Sequence, residues 1–228
     1  MLQKPRPLYQ RALPKVIAMI RILIVDDHEV VRDGIKKIFD ERPGTAAFGE
    51  ASTIHEALKL AREQDWGVVV LDISLGGRSG LELLKELRQT RPRLPVLILS
   101  MHSEEQYARR AFKAGAAGYI TKDSPRAELA AAIKKVAEGG RYVSPALAEK
   151  LVLDLGRGTD RAPHESLSDR EFEVMRLIAS GKTVGEIAEL LNLSDRTIST
   201  YRARLLEKMG MKTNAELTHY AIQNKLVE

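Results

Sequence analysis

The 228-residue chain has no cysteine, which excludes disulfides, zinc–thiolate sites and thiol chemistry. No apolar run approaches the ~18 residues of a membrane span. The first twenty residues are interrupted by Pro5, Pro7 and Pro14 and lack the unbroken apolar stretch of a signal peptide. The chain therefore reads as soluble and cytoplasmic, with no membrane partner. Internal repeats and low-complexity tracts are missing too. So is any excess of positive charge in the folded part. The net charge is +5, but residues 1–21 hold Lys4, Arg6, Arg11, Lys15 and Arg21 without one acid. Residues 22–165 hold 22 basic and 22 acidic side chains, and residues 166–228 hold 9 of each. The basic balance belongs to the tail and says little about partners of the folded domains. Residues 1–20 read as a disordered basic tail rather than a DNA-binding arm. Met19, directly before the first apolar run, is a candidate start of the protein.

Four short hydrophobic runs are present, and each ends in chemistry. Ile22 to Val25 ends in Asp26 and Asp27, and Val68 to Leu71 in Asp72. Val96 to Leu99 ends in Ser100, and Tyr119 to Thr121 in Lys122. Such runs, separated by amphipathic stretches, read as buried parallel strands. Candidate strands are 21–26, 46–51, 67–72, 95–100 and 117–121. Candidate helices are 29–41, 54–64, 79–90, 103–115 and 124–138. Five βα units make an α/β fold, a five-stranded doubly wound parallel sheet with helices on both faces.

After Gly140 the strands stop. Residues 144–156 read as one helix capped by Ser144, and 156–163 as a polar, breaker-rich linker. The remainder is a smaller all-α domain with helices over 168–180, 183–191, 195–209 and 213–224. The expected division is a tail at 1–20, an α/β domain at 21–140, a linker at 141–165 and a helical domain at 166–228.

In an open parallel sheet, ligands sit at the carboxyl ends of the strands. Asp26, Asp27 and Asp72 taken singly are explained as helix caps or loop acids. Their coincidence with Ser100 and Lys122 at strand ends is not. Carboxylates so close need a cation, and Mg²⁺ prefers oxygen ligands. A carboxylate is also a competent nucleophile toward phosphorus, and a metal and a lysine stabilise the charge of a transferring phosphoryl group. His28 reads as an exposed first-turn residue outside this site.

With Val25-Asp26-Asp27-His28, Leu71-Asp72-Ile73-Ser74, Ile98-Leu99-Ser100 and Gly118-Tyr119-Ile120-Thr121-Lys122-Asp123, residues 21–140 resemble the receiver domain of bacterial response regulators. The resemblance implies that Asp72 accepts a phosphoryl group from a sensor histidine kinase or a small phosphodonor. It implies that Asp27, Asp72 and the Ser74 carbonyl bind Mg²⁺ with help from Asp26, and that Ser100 and Tyr119 form the switch pair. One departure is Ser74-Leu75-Gly76-Gly77, where the family commonly has Met-Pro-Gly after the third ligand. Glycine there makes the loop more flexible.

In the helical domain, Ile187, Leu190 and Leu191 share helical spacing on the first helix of a helix–turn–helix. Ile198, Leu205 and Met209 form the inward face of the second. Arg196, Thr200, Ala203 and Glu207 point the other way, flanked by Ser199 and Arg204. Residues 194–212 hold five basic side chains and two acids, so positive charge is local there. Leu167-Ser168-Asp169-Arg170-Glu171, Ile178-Ala179-Ser180-Gly181-Lys182-Thr183, Glu186-Ile187-Ala188 and Leu193-Ser194-Asp195-Arg196-Thr197-Ile198 resemble the LuxR-type helix–turn–helix, and the whole chain resembles the NarL/FixJ class. This implies insertion of helix 195–209 into the major groove of double-stranded DNA. Arg196, Arg204, Thr183, Ser194 and Thr197 are then candidates for phosphate contacts, and Ser199, Thr200 and Ala203 for base contacts. The family commonly carries Lys at the position of Ser199 and His at that of Tyr201. Helix 213–224 is core, a dimer contact, or both.

The expected function is a phosphorylation-switched transcriptional regulator that forms a homodimer when phosphorylated. It would not be an enzyme beyond its own aspartyl phosphorylation and dephosphorylation. One rival is a constitutive or ligand-controlled DNA-binding dimer with an idle receiver. The other is a phosphatase-like hydrolase, for which no substrate pocket or general acid is evident.

Overall fold

The computed structural model describes residues 19–39, 44–75, 78–101, 104–149 and 162–227. The basic tail ahead of Met19 lies outside them. Five strands form, β-branched residues marking all but the second: β1 (Ile20–Val25), β2 (Ala46–Ala51), β3 (Val68–Asp72), β4 (Val96–Ser100) and β5 (Gly118–Thr121). They pair in parallel in the order β2-β1-β3-β4-β5. The order reverses between β1 and β3, which makes the crevice above them the ligand position of a doubly wound sheet.

Alternation along each strand fills two cores. Ile22, Ile24, Val68, Val70, Leu97, Leu99 and Ile120 pack with α1 (Glu29–Phe39) and α5 (Arg126–Ala137). Leu23, Val25, Val69, Leu71, Val96, Ile98 and Tyr119 pack on the other face, with α2 (Ile54–Glu63), α3 (Gly80–Thr90) and α4 (Glu104–Lys113). One element is absent from the sequence reading. Ser74–Leu75 and Arg78–Ser79 form a short antiparallel ribbon between β3 and α3. Gly80 starts α3 hard against β3, where a Cβ would fall 2.0 Å from the Asp72 carbonyl oxygen. Only glycine fits there.

After α5 the chain turns back along the sheet edge, where Tyr142 N donates to Ala117 O at 3.0 Å. Residues 145–149 are helical, with Ser144 Oγ accepting from Leu147 N at 3.1 Å. The rest of the helix expected over 144–156 lies outside the described residues.

The C-terminal helices are α6 (Asp169–Ala179), α7 (Val184–Leu191), α8 (Asp195–Met209) and α9 (Asn214–Gln223). Ser168 and Thr183 each open a capping box, with Glu171 and Glu186 respectively. Gly210 ends α8 in the left-handed conformation, φ 64°. Ile198, Leu205 and Met209 are buried as expected. Leu190 is not: it is 58% exposed, because the buried stripe of α7 runs through Ile187, Ala188 and Leu191. α9 buries Leu217 and Ala221 and leaves Ile222 exposed.

The segment that reads as a linker ends in a 3-10 turn, Pro163–Ser166, clamped between the two halves of the molecule. Arg110 of α4 donates to His164 O at 2.6 Å and Leu167 O at 2.8 Å, with its guanidinium 4.0 Å from the Phe172 ring centroid. Arg109 and Lys113 hold Glu165 at 2.9 and 2.8 Å, and Lys85 holds Asp169 at 2.7 Å. Tyr107 of α4 stacks edge-on against Phe172 of α6, centroids 5.4 Å apart. From the far side, Tyr220 of α9 meets the same turn, with its hydroxyl 2.8 Å from His164 Nδ1.

Candidate functional site

The acid site is built where β1, β3 and β5 end. Asp26 follows β1 and is buried, and its own turn supports its carboxylate: the His28 amide donates to its Oδ1 at 2.9 Å. Its backbone is pinned as well, since Asp26 N donates to Ala51 O and Arg32 of α1 donates to Asp26 O at 2.8 Å. Asp72, the last residue of β3, is 3% exposed. Lys122 follows β5, and its amide donates to Ser100 O at 2.8 Å. Its ammonium then spans the pocket, 2.6 Å from Asp26 Oδ2 and 2.7 Å from Asp72 Oδ2.

These contacts set the charges. Burial pushes the Asp72 carboxyl up to about 6, although Lys122 works against the shift. Burial also opposes the charge on Lys122, but its hydrogen bonds to Asp26 and Asp72 outweigh that and raise its pKa. One ammonium thus serves two carboxylates, and Asp27 adds a third, leaving a negative excess. Ligand atoms of Asp26, Asp27, His28 and Asp72 all lie within 4.8 Å of one another. Three hard carboxylates around uncompensated charge fit a small divalent cation.

Asp26, Asp27, Asp72, Ser100 and Lys122 lie at the carboxyl end of the sheet, whereas Tyr119 lies within its strand, opposite Ile98. Ser100 and Tyr119 are fully buried in β4 and β5. Ser74 sits in the ribbon just beyond Asp72, with its amide donating to Asp72 Oδ1 at 3.2 Å. His28 is the residue sequence reasoning left out. Its Nδ1 stands 2.8 Å from Asp27 Oδ1 and 3.2 Å from Asp26 Oδ1, so it is part of the cluster. The only sequence signal for this was its position directly after two acids.

On α8, Arg196, Ser199, Thr200, Ala203 and Arg204 are all exposed. The hydroxyls fare differently. Thr183 Oγ1 and Ser194 Oγ cap α7 and α8, accepting from Glu186 N and Thr197 N, and Thr197 Oγ1 lies 2.8 Å from Ser194 Oγ. Thr200 Oγ1 donates back to Arg196 O at 2.9 Å. Thr183, Ser194 and Thr197 thus serve their own helix N-termini, and Thr200 bonds back within α8.

Residues 22–134 match the model of the response regulator receiver domain, and residues 165–221 that of the bacterial regulatory proteins of the luxR family. The chain is 37% identical to the response regulator UvrY of Escherichia coli K12, over 91% of this chain and 96% of that one. It is 36% identical to the response regulator GacA of Pseudomonas aeruginosa, over 92% and 99%. A solved structure of RcsB from Salmonella enterica serovar Typhimurium, bound to promoter P1flhDC in the presence of phosphomimetic BeF3-, is 26% identical. It superposes with a TM-score of 0.55, over 88% of this chain and 97% of that one.

Proposed function

The chain belongs to the response regulators of the NarL/FixJ class, a receiver joined to a LuxR-type DNA-binding domain, and on that premise we propose how its own residues carry the switch. Control of transcription by phosphorylation is the function of the class. Here the receiver spans 21–140 and the DNA-binding domain 166–228, joined by 141–165. Asp72 is the phosphoacceptor. One of its Oδ atoms attacks phosphorus of a histidine-kinase phosphoimidazole or a small phosphodonor. The O–P bond forms as the bond from phosphorus to the donor breaks, and the electron pair leaves with the donor. Lys122, poised on Asp72 Oδ2, neutralises charge on the arriving phosphoryl group. Asp26, Asp27, Asp72 and the Ser74 carbonyl would hold Mg²⁺, which when bound supplies further charge stabilisation. Ser100 and Tyr119 respond to the new phosphate, and because Ser100 leads into α4, the response reaches the clamp on the 3-10 turn.

Release of that clamp frees the DNA-binding domain to form a two-fold dimer on DNA. Arg196 and Arg204, with the caps Thr183, Ser194 and Thr197, face the phosphate backbone, and Ser199, Thr200 and Ala203 face base edges. The protein acts in the cytoplasm, and no helix among the described residues is long and apolar enough to cross a membrane.

The observation that carries this reading is the single ammonium bridging two buried carboxylates at the topological switch point. The experiment is intact mass and sizing after incubation with Mg²⁺ and acetyl phosphate or a phosphorylated histidine kinase. One added phosphate and dimerisation are expected for the wild type, and neither for Asp72→Asn. A wild type that is already dimeric and DNA-bound without phosphate would instead make the receiver a constitutive dimerisation module.

A further inference from the structure

Beside the clamp lies a cavity of about 410 Å³ lined by Arg109, Phe112, Lys113, Arg141 and Val143. None of these residues belongs to the acid site or to α8. Arg109, Phe112 and Lys113 stand at i, i+3 and i+4 on α4 and so share one face. Arg141 and Val143 flank Tyr142, which bridges to Gly118 and fixes the other wall at the sheet edge.

The walls specify a ligand. Two of the three cations already hold an anion, the Glu165 carboxylate, at 2.9 and 2.8 Å. The Lys113 ammonium keeps the Glu165 carboxyl below its usual range, with burial opposing and Arg109 assisting. Arg141 is exposed and has no ion pair or hydrogen bond among the described residues. The cations thus outnumber the acid, and Phe112 and Val143 add an apolar wall that a bare ion would leave wet. The volume falls within the roughly 300–1,000 Å³ of small-molecule sites. Guanidinium groups suit phosphate oxygens and stack on flat rings.

We propose that this cavity binds an aromatic organic phosphate of the nucleotide class, with phosphates on Arg141, Arg109 and Lys113 and the ring against Phe112. The ligand takes two cations from Glu165 and so loosens the hold of α4 on the 3-10 turn. The coupling is reciprocal, and weakening the Glu165 contact strengthens ligand binding. The receiver then answers to a second, diffusible signal besides phosphorylation.

The test is anisotropy of a methylanthraniloyl-ADP probe titrated with the full-length protein in EDTA, which keeps metal–nucleotide complexes out of the acid site. Saturable binding is expected. Arg141→Glu should weaken it by about tenfold or more, since a charge-assisted contact becomes a repulsion. Glu165→Gln should tighten it several-fold, and the same charge reversal at the remote, exposed Lys59 should leave it unchanged. The proposal is overturned by absence of saturable binding, by an Arg141→Glu protein that binds as well as wild type, or by equal loss in Lys59→Glu. Displacement by inorganic pyrophosphate as effective as by ADP would overturn the aromatic part of it.

Discussion

As the proposed phosphoacceptor, Asp72 carries two demands that oppose each other. A phosphoacceptor must be ionised, yet its burial at the end of β3 raises its pKa from 3.8 to about 6. Relative to the unfolded chain, folding therefore favours the neutral form. Its contribution to stability is fully present below the unfolded pKa near 3.8 and is lost as pH rises through about 6. At 1.36 kcal/mol per unit, the cost of ionised Asp72 at pH 8 is roughly 3 kcal/mol without metal. Asp72→Asn removes that cost, and Lys122 keeps Asp26 as its partner. In EDTA at pH 8 the variant should unfold at a higher urea concentration than wild type, and at pH 3.5 the two should coincide. Adding Mg²⁺ should raise the wild-type midpoint more than the variant's. Equal midpoints at pH 8 would remove burial as the source of the shift. The strand-end residues Asp26, Asp27, Asp72, Ser100 and Lys122 were legible in the sequence, because nothing else forces polar residues there. His28 was not, because its approach to Asp26 and Asp27 depends on the conformation of the β1–α1 turn, which no periodicity encodes.

At the scale of elements, α8 and α4 differ in how much the sequence discloses. The face of α8 follows from 3.6-residue spacing alone, and Arg196 and Arg204 are exposed where expected. If they contact phosphates, Arg204→Ala should weaken DNA binding similarly on every sequence and lower the slope of log K against log salt by about one. A loss confined to one sequence would assign Arg204 to base contact instead. α4 was legible as an amphipathic helix, but its partners were not, since they lie more than fifty residues away in a segment of linker composition. Arg110 is the key to that contact, half-buried and serving two carbonyl oxygens and one aromatic face. Burial lowers its pKa, and Asp169 opposes the shift. Arg110→Ala leaves His164 O and Leu167 O without that donor, at roughly 1–3 kcal/mol each if they stay buried. The closed arrangement should give way while each half stays folded. Small-angle scattering should show a larger radius of gyration, with unchanged helix content by circular dichroism. A wild-type scattering profile would mean that Tyr107 and Phe172 hold the halves together unaided.

For the whole molecule, the proposed switch makes the clamp and the acid site two ends of one equilibrium. In the closed form the 3-10 turn is held by α4 on one side and by Tyr220 of α9 on the other, while the outward face of α8 stays open to solvent. Docking therefore leaves uncovered the residues proposed to read DNA, and under the proposed function it would act by restraining how two DNA-binding domains pair. If phosphate at Asp72 weakens the clamp, weakening the clamp must favour phosphate at Asp72 by the same factor, because the coupling free energy belongs to the pair. Beryllofluoride, a reversible phosphate mimic, makes this measurable at equilibrium. In wild type it should increase the open fraction seen by scattering. Arg110→Ala, already open, should half-saturate at a lower beryllofluoride concentration, by a factor matching that increase. A variant that opens the molecule with no change in beryllofluoride affinity would show that the clamp and the acid site are independent. The switch would then have to run through Ser100 and Tyr119 to another face of the receiver.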